Sequence, residues 1–393
     1  MKMIIHIITV LLITAAAAWA APSLPAPLIN AESAILIDAA TGTVLFEKNA
    51  DTPIPPASMT KLMTIHTALE FINDGRADAN ALVPVSAAAD FRNLPPRSSL
   101  MFIEQGQRVT LIELLQGLAL PSGNDAGIAV AEYLAGSVEN FVALMNEQAE
   151  KLGMLQTRFY DSSGLSEKNV TTAREFADFC RIYIENNSRY NELLHLPQSF
   201  TYPKDKNLAA SGKSVHGPIT QKNHNLLIGR MASVGGLKTG YIDESGYNFA
   251  ATAVQGSRRL ILVTMGGPGS SSSDGSLKRA IDAAVLLSYG FYAWIEYLPQ
   301  VPIDERIEIY GGAADSLGLV YSPAADILIQ TAMLDELEFI PHLHEIKLPL
   351  SEGSLIGRWQ LVLNGTELQS GIITAAEEVK KGNIFRRIFD RLQ

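Results

Sequence analysis

The sequence predicts an α/β fold: an antiparallel sheet flanked by helices with a helical subdomain inserted, followed by a small all-β domain and a C-terminal amphipathic helix. Three observations carry this prediction. A strand pair around a turn stands near the start, helical patterns dominate from Ser58 to Tyr190, and β-prone runs return at Val234 ahead of one more helix.

Residues 1–20, "MKMIIHIITVLLITAAAAWA", carry one early Lys2, an apolar run and Ala18-x-Ala20 before Ala21, the layout of a cleaved secretory signal. A retained signal anchor is the alternative. The run is short for a span of about 20 apolar residues and stops at Pro22, Pro25 and Pro27, which favours cleavage and export.

A first domain is expected over 21–297. In "SAILIDAATGTVLFEKNAD", the apolar stretches Ala34 to Ile37 and Val44 to Phe46 flank turn residues Asp38 to Gly42, so a hairpin is expected. "TLIELLQGLAL" and "NDAGIAVAEYLAG" read as helices joined by a turn at Pro121-Ser122-Gly123. "VGGLKTGYIDESGYNFAATAV" and "RRLILVTMGG" read as neighbouring antiparallel strands. The segment "GGPGSSSSDGS" after them has nothing to pack and is expected to be a flexible loop before the helix "SLKRAIDAAVLLSYGFYAW".

"LPQVPID" marks a boundary near Leu298, and a β domain is expected over 298–378, where "RIEIY", "DILIQ" and "RWQLVLNGTELQSGII" cluster apolar residues between turn residues. Over 379–393, Ile384, Phe385, Ile388, Phe389 and Leu392 share a helical face beside Lys380, Lys381, Arg386, Arg387 and Arg391. That suits a helix lying on an anionic membrane surface; a helix packed on its own protein is the alternative.

With 31 Lys and Arg against 41 Asp and Glu, the net charge of −10 argues against a general nucleic-acid footprint while leaving room for a basic pocket. The one cysteine, Cys180, excludes an intramolecular disulfide and sits among Phe176, Phe179 and Ile182 as a small buried hydrophobe, not as a reactive thiol. "HLHE" from His342 lacks the His-Glu-x-x-His pattern of a metal site. Neither a metal nor another cofactor is implied.

The chemistry starts at "PPASMTKLMT". A serine hydroxyl is a weak nucleophile that needs a neighbouring base, and Ser58 and Lys61, at i and i+3 of a helix, would share a face. Alone, the pair is a weak signal and reads first as an N-cap serine followed by a solvated lysine. Two further elements raise its significance: "PSGND" brings Ser122 and Asn124 on an interhelical turn, and "GGLKTGY" brings Lys238, Thr239 and Gly240 on a strand. Buried beside a second cation, Lys61 would lose its proton readily.

These three elements, in this order and local structure, resemble those of the low-molecular-mass penicillin-binding proteins, the serine-type D-alanyl-D-alanine carboxypeptidases of peptidase family S11. "ASMTKLMT", "LALPSGNDA", "VGGLKTGYIDESGYNFAATA" and "LLSYGF" carry the resemblance, which extends over a following β domain and an amphipathic tail. It implies a β-lactamase/transpeptidase-like domain and a reaction through an acylated Ser58 with Lys61 as base. By the same resemblance Ser122 relays a proton to the leaving amine and Asn124 holds the substrate backbone. Lys238 keeps the site electropositive and Thr239 takes the terminal carboxylate. Gly240 lets the strand approach the substrate, and the N–H groups of Ser58 and Tyr241 form the oxyanion hole. Arg279, at the start of the following helix, is expected to help hold the carboxylate.

The implied partners are peptidoglycan stem peptides ending in D-Ala-D-Ala, β-lactams as covalent inhibitors, and the periplasmic face of the inner membrane. Ser162 and Ser163 depart from the pairs common in the family, which leaves the positioning of the deacylating water open. A D,D-endopeptidase and a catalytically silent wall sensor or scaffold are the alternatives. A β-lactamase is another, although no Glu-x-x-Leu-Asn motif occurs between Ser122 and Lys238.

Overall fold

The computed structural model describes residues 25–208 and 216–383. The expected leader and residues 384–393 of the expected tail lie outside the described residues. Chain contacts divide the protein into one unit over Ala26–Tyr292 and a second that takes up the chain at Ala293.

In the first unit, β1 (Ser33–Asp38) and β2 (Val44–Lys48) form the expected hairpin. Its turn closes because the Asp38 carboxylate accepts from the N–H groups of Ala40 and Thr41, and Gly42 supplies a φ of 73°. The chain then leaves the sheet through α1 (Thr60–Asn73), the two-residue strands β3 (Leu82–Val83) and β4 (Val109–Thr110), α2 (Leu111–Ala119), α3 (Asn124–Ala135), α4 (Val138–Lys151), α5 (Ala173–Asn186) and α6 (Ser188–His195). A short hairpin of β5 (Ser199–Tyr202) and β6 (Ile219–Lys222) follows. The starts of α2, α4 and α5 are set by side chains that satisfy orphan N–H groups: a Thr110–Glu113 capping box, Ser137 and Thr172.

The chain returns to the sheet as β7 (Val234–Ile242), β8 (Gly246–Gln255) and β9 (Arg258–Gly267), giving an antiparallel order β2-β1-β9-β8-β7. All of β1 is buried because both faces are covered. Ile35 and Ile37, with Ile261, Val263 and Met265 of β9, join the core that holds Phe176 and Phe179 of α5. Leu36 and Leu260 point to the other face, where they close on Gly290 of α7 (Ser272–Tyr292).

The structure corrects the expected flexible loop, since α7 begins inside the Gly/Ser segment. Asp274 takes the N–H of Ser270 and an ion pair from Lys278, its own N–H is capped by the Ser271 hydroxyl, and Gly275 lies against the Tyr247 ring. The serines there are capping residues, not a linker.

The second unit contains β10 (Trp294–Tyr297), β11 (Arg306–Glu308), β12 (Ser316–Tyr321), β13 (Ile327–Gln330), β14 (Leu337–Leu343), β15 (Leu355–Leu363) and β16 (Thr366–Ala375). A five-stranded sheet runs β11-β12-β16-β15-β14, and β10 pairs with β13. Because of that pairing the unit starts at Ala293, not at 298. Asn364 and Gly365, both at positive φ, turn β15 into β16. Trp359, Leu317, Ile373 and Val379 are buried at its centre. Val379 bridges Leu350 and Lys381 bridges Gly312, so residues 379–381 pair within this unit. His342 is exposed against Gln360, and among the described residues no His, Cys, Asp and Glu are grouped to hold a metal ion. No single described helix is long and apolar enough to cross a membrane.

Candidate active site

Pro55 and Pro56 prevent a helix from running into Ser58 from behind. The chain instead makes a single 3-10 turn over Ala57–Met59, entered with Ala57 at a φ of 50°, and α1 begins only at Thr60. Ser58 therefore precedes the α-helix that carries Lys61. The one-turn offset survives the junction: Lys61 Nζ lies 2.9 Å from Ser58 Oγ.

Lys61 is fully buried. Its Nζ donates to Asn124 Oδ1 at 2.6 Å and to the Ser163 carbonyl at 2.5 Å, which leaves the third direction for the serine. Burial pushes its pKa down to about 7, and the charges of Asp161 and Asp125 act in the opposite sense. As a neutral amine it would spend two N–H bonds on Asn124 and Ser163 and aim its lone pair at the Ser58 hydroxyl.

Asn124 opens α3, and its N–H donates to the Ser99 carbonyl. The next residue, Asp125, accepts from the N–H groups of Met101, Phe102 and Ile103 and ties the 101–103 segment to the start of the helix. Ser122 is held at a φ of 63°, and its buried Oγ has no hydrogen-bond partner among the described residues although it lines the cleft. A buried hydroxyl left unpaired is costly, which suits a group kept ready for a substrate proton.

The opposite wall is β7. Lys238 is buried, donates to the Thr239 carbonyl at 2.9 Å, and is driven well below the usual lysine range by burial, then by Lys61 and Arg279. Thr239, Gly240 and Tyr241 follow along the strand and line the cleft. Gly240 has a structural reason beyond substrate approach: a Cβ there would stand 2.6 Å from the Pro56 carbonyl oxygen and 3.2 Å from Met59 N. Tyr241 is exposed, its ring tilted against that of Tyr247 with centroids 4.4 Å apart, and it donates its hydroxyl to Asp243. Arg279 lies inside α7, not at its start, and donates to the Gly240 carbonyl at 3.1 Å while lying over the Tyr247 ring. Burial pushes its pKa down to about 10.

The cleft of about 460 Å³ is lined by Ser58, Ser122, Thr239, Gly240, Tyr241 and Arg279, with Lys61, Asn124 and Lys238 buried beneath. All nine residues singled out in the sequence thus converge. Sequence reasoning missed Asp161, whose carboxylate accepts from the N–H groups of Ser163, Gly164 and Ser166 and folds the loop that faces α1. It also missed Asn248, which donates to the Pro55 carbonyl at 2.9 Å and accepts from Gly266 N. Each left a signal: an Asp heading a Ser-Ser-Gly run makes an Asx turn, and Asn is out of place in a strand. Ser162 and Ser163 serve through their carbonyls, taken by Thr64 Oγ1 and Lys61 Nζ.

A model of the family described as D-alanyl-D-alanine carboxypeptidase matches residues 20–269. The chain belongs to that family. The D-alanyl-D-alanine carboxypeptidase DacC of Escherichia coli strain K12 is 32% identical over 375 residues, covering 93% of this chain and 88% of the relative. Among solved structures, penicillin binding protein 5 from Haemophilus influenzae is 28% identical, with a TM-score of 0.67 over 90% of this chain and 99% of that one. DacD from Francisella tularensis has a TM-score of 0.71 over 91% and 95%, and at 24% identity it speaks for the fold alone. The fold is that of the β-lactamase/transpeptidase class, the resemblance drawn from the motifs holds, and the protein is a penicillin-binding serine peptidase of family S11.

Proposed function

We propose that the protein is a D-alanyl-D-alanine carboxypeptidase that removes the terminal D-alanine from peptidoglycan pentapeptides. The observation that carries this reading is the buried Lys61 amine 2.9 Å from the Ser58 hydroxyl, with a pKa brought down to about 7. Neutral Lys61 takes the Ser58 proton as Oγ bonds to the penultimate D-alanine carbonyl carbon. The N–H groups of Ser58 and Tyr241 hold the resulting oxyanion. Ser122 relays this proton from Lys61 to the leaving nitrogen as the C–N bond breaks, and D-alanine departs, leaving Lys61 neutral again. Water then attacks the acyl-enzyme, releasing the shortened peptide and returning the proton to Ser58. Lys238, Thr239 and Arg279 receive the departing residue's carboxylate, for which a guanidinium fork is well shaped. β-Lactams acylate the same oxygen.

Export through the leader, residence on the periplasmic side of the inner membrane, and attachment through the basic, amphipathic 384–393 segment complete the proposal. The β unit would set the distance from the membrane. Product analysis on purified wall fragments tests the assignment: wild-type protein should liberate free D-alanine, Ser58→Ala should not, and cleaved cross-bridges without D-alanine would replace the carboxypeptidase with an endopeptidase. Removal of 384–393 should move active protein into the soluble fraction, and continued sedimentation with membranes would remove the anchor from the account.

A further inference from the structure

We propose that Arg97 and Lys222 form a second anion-binding position in the cleft, for a carboxylate on the acyl side of the scissile bond. The inference rests on the carboxypeptidase reading above and specifies the peptide it acts on.

Acidic residues outnumber basic ones in this chain, 41 to 31, yet among the described residues no Asp or Glu lines the cleft. Its Lys and Arg side chains fall into two groups. Lys61 and Lys238 are buried beneath the nucleophile, and Arg279 is bound to the Gly240 carbonyl, so these three are committed to the reaction and to the terminal carboxylate. Arg97 and Lys222 also line the cleft but are exposed, and among the described residues neither has an ion-pair partner. A substrate with one carboxylate leaves both without a task.

Arg97 is also presented at a cost. Ser98 N donates to the Pro95 carbonyl, closing a turn whose third residue, Arg97, has a φ of 67°. Gly or Asn favours that position, because a Cβ there meets the backbone. Strained non-glycine residues of this kind collect at ligand clamps. Lys222 comes from a separate element, the end of β6, so two independent parts of the fold bring positive charge to one opening. Such a field favours a substrate carrying a second negative charge over its neutral isostere. The terminal carboxylate leaves with D-alanine, so the second one belongs to the part retained on Ser58.

The test compares Nα-acetyl-L-Glu-D-Ala-D-Ala with Nα-acetyl-L-Gln-D-Ala-D-Ala, which differ by one charge. Wild-type protein should prefer the Glu peptide by about tenfold in kcat/KM at low ionic strength, and the preference should shrink in salt. Arg97→Gln and Lys222→Gln should each cut that ratio about threefold, and the double variant should bring it close to one. Arg97→Gly, which relaxes the turn, should reduce the ratio as much as Arg97→Gln, separating charge from misfolding. Equal handling of both peptides by wild-type protein, or a ratio that the variants leave unchanged, overturns the second position. If neither peptide releases D-alanine, the carboxypeptidase reading itself falls.

Discussion

Gly240 and Pro56 approach so closely that a Cβ on the glycine would lie 2.6 Å from the proline carbonyl oxygen. The strand that lines one wall of the cleft is thereby pressed against the turn that carries Ser58. A backbone oxygen cannot swing aside as a side chain can. Gly240→Ala should push the two apart, cost about 1–3 kcal/mol of stability and slow acylation by about 100-fold. Thermal unfolding together with the rate of labelling by a fluorescent penicillin measures both effects; wild-type labelling in the variant would show that the approach does not matter.

Lys61 sets the pH dependence. Its pKa is brought down to about 7, and only the neutral amine can accept the Ser58 proton, so acylation should rise with a midpoint near pH 7 and be lost below it. The Asp161 charge pulls that pKa upward, so Asp161→Asn should move the midpoint to lower pH even if the rate above it also falls. Rates of penicillin acylation between pH 5 and pH 9 decide this, and a midpoint that moved upward would contradict it.

Ser122 combines a φ of 63° with a buried hydroxyl that has no partner among the described residues. Ser122→Gly removes both costs and should stabilise the fold by about 1–2 kcal/mol, while D-alanine release falls by about 100-fold or more. Melting temperature and turnover should therefore move in opposite directions. A variant that is both less stable and fully active would refute the trade.

His66 is buried on α1 against Phe179 and Tyr183, and burial lowers its pKa from 6.5 to about 4. The unfolded chain binds this proton first, so stability should fall as pH drops from about 6.5 to about 4 and gain nothing from this group above that window. The loss is about 3 kcal/mol at its fullest. In His66→Leu the melting temperature should decline less between pH 7 and pH 4.5 than in the wild type. An equal decline would assign the acid sensitivity to other groups.

Much of the site could be read from the sequence because its chemistry is written in short local patterns. Ser58 and Lys61, Ser122 and Asn124, and Lys238 through Tyr241 each lie on one turn or strand. What the sequence hid depends on contacts between distant segments. Asn248 secures the nucleophile's turn through Pro55, and Asp161 shapes the loop whose carbonyl meets Lys61, yet neither partner is near in the chain. The Gly/Ser segment misled for a related reason: serines cap a helix as readily as they loosen a linker, and packing of Gly275 on Tyr247 decided between them. The basic neighbours of Val379 suggest a place in the tail, whereas its pairing with Leu350 puts it in the β core.

The central claim is that Ser58, activated by Lys61, is the atom acylated. Mass spectrometry of the protein after reaction with a penicillin tests it most directly. One covalent adduct should map to the peptide containing Ser58, vanish in Ser58→Ala and form at least 1000-fold more slowly in Lys61→Met. An adduct on any other residue, or one that persists in Ser58→Ala, would contradict the account.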